Sequence, residues 1–77
     1  MNQKTRNELH KMELVLEDMK DRLEELQELE EEKRDNMPEG LQDTEQWYAM
    51  DSAAQELEEA VDLLGDAMAA IGEAAQQ

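Results

Sequence analysis

Apolar residues recur at alternating steps of three and four along two runs of this chain, and a proline and a glycine separate the runs. The second run reads Trp47, Met50, Ala54, Leu57, Val61, Leu64, Met68, Ile71 and Ala75. This spacing keeps one face of an α-helix apolar, as in the a and d seam of a coiled coil, and does not suit a strand, whose period is two. The first run reads Leu9, Met12, Leu16, Met19, Leu23 and Leu26; Glu30 and Lys33 then fall on the seam and the pattern lapses beside Leu29. Both runs are rich in Glu, Leu, Met, Ala, Gln and Lys, which are strong helix formers. Two helices are expected, at about 3–36 and 44–75.

Residues 37–43 carry the turn signals. Pro38 cannot continue a helix and biases Met37 away from helical angles. Gly40 offers the positive φ that tight turns often use. Asp43 is the expected N-cap of the second helix, with Gln46 as its capping-box partner and Thr44 as the competing cap. Leu41 is placed to fold back on Trp47. Helices of similar length, each roughly 50 Å at 1.5 Å per residue, become antiparallel neighbours when a turn this short joins them. The expected fold class is therefore all-α: one coiled-coil-like helical hairpin in a single domain, 1–77.

Charge is unevenly distributed. Residues 1–34 hold eleven acidic residues and all seven lysines and arginines, whereas residues 35–77 hold eleven acidic residues and no cation. The net charge of −15 exceeds the roughly eight that solubility asks of a small domain, and it opposes compaction. It also argues against direct nucleic-acid or anionic-membrane binding, which needs basic side chains. There is no cysteine, hence no disulfide or thiolate metal site. No apolar run approaches the roughly 20 residues of a membrane span, and the first residues do not read as a signal peptide. A soluble, cytoplasmic protein is expected.

The most ordered charge pattern lies outside the first seam. Asp18, Asp21, Glu25, Glu28, Glu32 and Asp35 also step by three and four, and the second helix carries a sparser outer line of Glu59, Asp62, Asp66 and Glu73. Carboxylates about 5–6 Å apart along a rod roughly imitate a strand of phosphates, and a groove lined with Lys and Arg attracts both for the same reason. The plain alternative is a solvated helix face, partly neutralised by Asp18–Arg22 and Glu30–Arg34 at i, i+4.

The second helix has more small and apolar surface than one partner helix covers. Ala53, Ala60, Ala67 and Ala74 flank its seam on one side, and Gly65 and Gly72 on the other. A glycine inside a helix costs about 1 kcal/mol relative to alanine, so close approach of another helix is expected there. Together these residues form a candidate oligomer face, through which two hairpins would make a homodimeric four-helix bundle. Trp47 and Tyr48 mark a candidate recognition tip, with Trp47 on the seam and Tyr48 beside it.

Catalytic and metal chemistry find little support. His10 is the only histidine and Ser52 the only serine, and neither has a partner for acid–base or nucleophilic work. A calcium loop starting at Asp35 would place Met37 and Gln46 at ligand positions and is interrupted by Pro38. The Glu-x-x-His pairs of di-metal bundles are absent. A non-enzymatic protein without cofactor or metal is expected.

The turn from Asp35 to Gln42 with Glu45, and the stretch Ala60-Val61-Asp62-Leu63-Leu64-Gly65-Asp66-Ala67, resemble small acidic two-helix proteins of phages, prophages and mobile elements of Firmicutes. The likeness covers the turn and second helix; Trp47-Tyr48, Gly65 and Gly72 fall outside it. It implies a phage-type accessory protein working in the host cytoplasm, similar at the level of class to acidic anti-CRISPR and anti-restriction inhibitors that imitate DNA. The implied partner is a basic, nucleic-acid-binding host protein. A second expectation, from the residues alone, is a structural or assembly module working through the Ala/Gly-rich face.

Overall fold

A computed structural model describes all 77 residues. Helix α1 spans Gln3–Asp35, a short 3₁₀ turn covers Glu39–Leu41, and helix α2 spans Glu45–Ala75. The two helices form an antiparallel hairpin with Cα extents of 59 × 15 × 12 Å. Arg6 reaches the Ala75 carbonyl at the open end, and Arg34 reaches Asp51 near the turn. The expected all-α hairpin is the observed fold.

Side chains fix the helix ends. The Asn2 side chain accepts from the Thr5 N–H at 2.9 Å, starting α1. Asn36 is the C-cap of α1, not its last residue. At α2 the cap is Thr44, not Asp43: its Oγ1 accepts from the Trp47 N–H at 3.4 Å and donates to the Leu41 carbonyl at 2.7 Å. Thr44 wins because one hydroxyl satisfies groups on both sides of the helix start. Gly40 does not use a positive φ. It sits inside the 3₁₀ turn, where the Leu41 N–H donates to the Pro38 carbonyl, and a Cβ there would meet nothing within 4 Å.

The seam of α2 falls where the spacing places it, and Ala54, Val61 and Ala75 on its a positions are the only buried residues of the chain. The seam of α1 does not. The less exposed positions of α1 are Arg6, Leu9, Glu13, Leu16, Lys20, Leu23, Gln27, Glu30 and Arg34, which again step by three and four, with Glu24, Leu26 and Glu31 half-buried on their flanks. Leu9, Leu16 and Leu23 keep their expected place, as the d column. The other column, a, is Arg6, Glu13, Lys20, Gln27 and Arg34 rather than Met12, Met19, Leu26 and Lys33. Met12 and Met19 stay 52% and 51% exposed.

The glycines of α2 lie against this turned face of α1. A Cβ on Gly65 would lie 3.7 Å from Lys20 Cε, and one on Gly72 would lie 4.0 Å from Glu13 Oε2. Without side chains, these positions leave a shallow wall over which the long stems of α1 lie with their polar ends toward water. Four of the five polar a residues find a close partner. Arg6 donates to the Ala75 carbonyl at 3.1 Å, Gln27 donates to Glu31 at 3.0 Å, and Lys20 pairs with Glu24 at 3.4 Å. Arg34 pairs with Asp35 at 3.0 Å and Asp51 at 2.8 Å. Glu13 Oε1 is shielded from solvent without a hydrogen bond; His10 Nδ1 stands 3.5 Å away, too far to satisfy it firmly but close enough to pair electrostatically when protonated.

Candidate functional site

The turned seam gives the hairpin two unlike sides. In each helix the e and b positions follow the a column around the helix, and the g and c positions follow the d column. Antiparallel packing sets e beside e and g beside g. Lys20 joins the e columns, its Cε beside Gly65 and its Nζ on Glu24.

The e/b side is acidic. From α1 it carries Glu17, Asp21, Glu24, Glu28, Glu31 and Asp35, and from α2 Asp51, Glu58 and Asp62. No Lys or Arg occupies an e or b position; the only cations reaching this side are the seam residues Lys20 and Arg34. They pair with Glu24, Asp35 and Asp51. Asp35 foremost, then Asp51, raise the Arg34 pKa above the ordinary guanidinium value, so Arg34 stays charged at any working pH. Glu17, Asp21, Glu28, Glu31, Glu58 and Asp62 have no ionic partner. Each repels its neighbours by a few tenths of a kcal/mol, a standing cost that a cationic ligand would relieve.

All nine carboxylates expected from the spacing, Asp18, Asp21, Glu25, Glu28, Glu32, Asp35, Glu59, Asp62 and Asp66, are solvent-exposed. The structure does not gather them equally. Asp21, Glu28, Asp35 and Asp62 border the acidic side. Asp18, Glu25 and Glu32 lie on the outer f edge of α1, and Glu59 and Asp66 on that of α2, at opposite margins of the hairpin. The expected ion pairs are also redistributed: Arg22 takes Glu25 at 2.7 Å instead of Asp18, and Glu30 takes Lys33 at 3.2 Å instead of Arg34. Those i, i+3 partners were within reach, and Arg34, drawn into the seam, faces Asp51.

Spacing alone missed Glu17, Glu24, Glu31, Asp51 and Glu58, which fill the middle of the acidic side. The seven-residue repeat of Glu17, Glu24 and Glu31 was visible. Its place was hidden by setting the α1 seam about one heptad position around the helix from where it lies, which put these glutamates on the back of the helix.

The g/c side carries no net charge, Glu8 and Glu56 being matched by Arg22 and Lys33. It presents Met12, Val15, Met19, Leu26 and Leu29 from α1, and Ala53, Ala60, Ala67, Ala74 and Leu63 from α2. Gly65 and Gly72 do not belong to it; they stand on the e column of α2, beside Lys20 and Glu13. The expected face of alanines and glycines is thus split between opposite sides of the hairpin.

Trp47 is partly covered on the seam and Tyr48 is exposed, their rings edge-to-face with centroids 5.3 Å apart. Leu41 remains half exposed beside the turn. The surface has no enclosed cavity, and no three carboxylate or histidine side chains converge as a metal site would require. No helix is long and apolar enough to cross a membrane. No family model, curated protein or solved structure matches this chain.

Proposed function

We propose that this chain is a non-enzymatic binding module whose acidic side occupies a Lys/Arg-lined groove of a nucleic-acid-binding protein and excludes nucleic acid from it. One observation carries this reading: nine carboxylates of the two helices stand together on one side of the turn-proximal half of the rod, over residues 17–35 and 51–62, with no Lys or Arg at the e and b positions of that side. A surface made only for solubility gains from mixed signs, yet here the unpaired acids of both helices stand together. The line of α1 is joined by Glu58 and Asp62 of α2, so negative charge comes from both helices on the same side. An inhibitor of a host defence enzyme is the phage-type role that fits such a surface.

The experiment is competition binding. Host lysate is passed over the immobilised protein at low and high salt, and the retained protein is then tested for displacement of its nucleic acid. Retention should be lost at high salt, because the contacts are between exposed charges. Asp21→Asn, Glu28→Gln, Glu58→Gln and Asp62→Asn combined should weaken binding by at least about tenfold, or roughly 1.4 kcal/mol. If the neutral variant binds and displaces nucleic acid as well as the parent, the reading fails.

A further inference from the structure

The acidic reading leaves the apolar g/c side without a use, yet that side holds most of the exposed large apolar side chains of the two helices, Leu14 and Tyr48 of the acidic side excepted. Val15 is 58% exposed, Leu63 59%, and Met12, Met19 and Leu29 about half, although each is a residue that folding ordinarily hides. They form a strip along both helices rather than scattered points, and contiguous apolar strips on small proteins mark contact surfaces. We propose that this side is covered by the same side of a second copy, closing a four-helix bundle with one acidic side on each outer surface.

Three observations select a second copy as the occupant. The first is the thin interior: three residues are buried, two of them alanine, and no large side chain is fully enclosed. Chains of this size seldom stay folded on so little and commonly complete their core by oligomerisation, so the cover is needed whenever the chain is folded, and another copy is always at hand.

The second observation is charge. Two chains of −15 repel, and they approach at least cost through the side that carries no net charge. The g/c columns hold Glu8 and Glu56 against Arg22 and Lys33, which balance, and pairing there sends both acidic sides outward.

The third observation is area. The broad side measures 59 × 15 Å between Cα atoms, an area of the same order as the roughly 800 Å² that each partner contributes to a stable interface of ordinary size. Its relief suits self-pairing: bulky Met, Val and Leu project from α1 and alanines pave α2. A two-fold axis along the rod lays α1 of one copy over α2 of the other, large against small. This differs from a face built on the glycines, because Gly65 and Gly72 are already engaged within the hairpin. The proposal does not rest on what the acidic side binds.

Sedimentation equilibrium of the full chain across micromolar concentrations tests it. The expected mass is twice the 8.9 kDa of the chain. Met19→Glu, at an exposed position outside the seam, should weaken association by at least about tenfold by burying an unpaired carboxylate, whereas Leu14→Glu, exposed on the acidic side, should not. In the unmodified protein, Met12 and Met19 should resist peroxide oxidation relative to Met1 at high concentration and lose that protection on dilution. An 8.9 kDa helical monomer throughout, a dimer indifferent to Met19→Glu, an assembly larger than a dimer, or equal oxidation of the three methionines at every concentration would each overturn the proposal.

Discussion

The two long sides of this hairpin come from the same two helices, and they handle charge in opposite ways. On the e/b side, acids of both helices stand together and the only cations are seam side chains leaning outward. On the g/c side, Met12, Val15, Met19, Leu29 and Leu63 lie open to solvent beside the half-buried Ala53, Ala60 and Ala74, and the few charges among them balance. The difference shows that a heptad does more than mark a buried stripe. Once one seam is chosen, it decides which outer residues become neighbours. Rotating α1 by one heptad position would place Met12 and Met19 inside and carry Glu17 and Glu24 away from Asp51 and Glu58. In the rotation observed, Gly65 and Gly72 lie beside the stems of Lys20 and Glu13.

The contrast between the two sides can be broken at the seam they share. Ala54, 2% exposed, has no room for a larger side chain, and Ala54→Leu should destabilise the fold by about 1–3 kcal/mol, read as an earlier thermal or urea transition. Both sides should fail together. A variant with unchanged stability would mean that the helices are not held at this distance.

The next largest effect sharpens the account of the glycines. Gly65 and Gly72 have room for a methyl group at ordinary contact distance, so Gly65→Ala and Gly72→Ala should each stabilise the hairpin by about 1 kcal/mol, the helix-propensity gain, without changing its mass in solution. Destabilisation would show instead that another helix needs those positions bare.

At the turn, Thr44→Ala should cost about 1 kcal/mol as a lost N-cap, whereas Asp43→Ala should change stability by a few tenths. Equal effects would undo the assignment of the cap. The smallest effect separates function from folding. Neutralising Asp21 and Glu28 should raise stability by a few tenths of a kcal/mol by relieving i, i+3 and i, i+4 repulsion, most visibly at low salt. A loss of stability there would mean that these acids serve the fold.

Much of the fold was legible in the sequence because its signals are local. The nine-position seam of α2, the break at Pro38 and the matched helix lengths led to the hairpin, and the seam of α2 lies where its spacing put it. The phase of α1 was not legible. Its apolar arc, from Leu9 and Leu16 through Met12 and Met19 to Val15 and Leu29, is wider than one helix covers, so the arc alone does not say which edge faces α2. That choice depends on long-range contacts such as Lys20 over Gly65, which no local pattern reports. The acidic surface inherited the error: its outer line was read correctly as exposed, but its central glutamates were missed. The cap was misplaced for a smaller reason, since Asp43 and Thr44 both suit the position and the Leu41 carbonyl decides between them.

The hydrogen bond from Arg6 to the Ala75 carbonyl draws the first turn of α1 against the last turn of α2. Both chain ends therefore leave the molecule at one pole, and Trp47, Tyr48 and the turn occupy the other. Anything joined to either end holds the molecule like a blade by its hilt. The whole charged edge, and the aromatic point beyond it, would then project clear of the attachment.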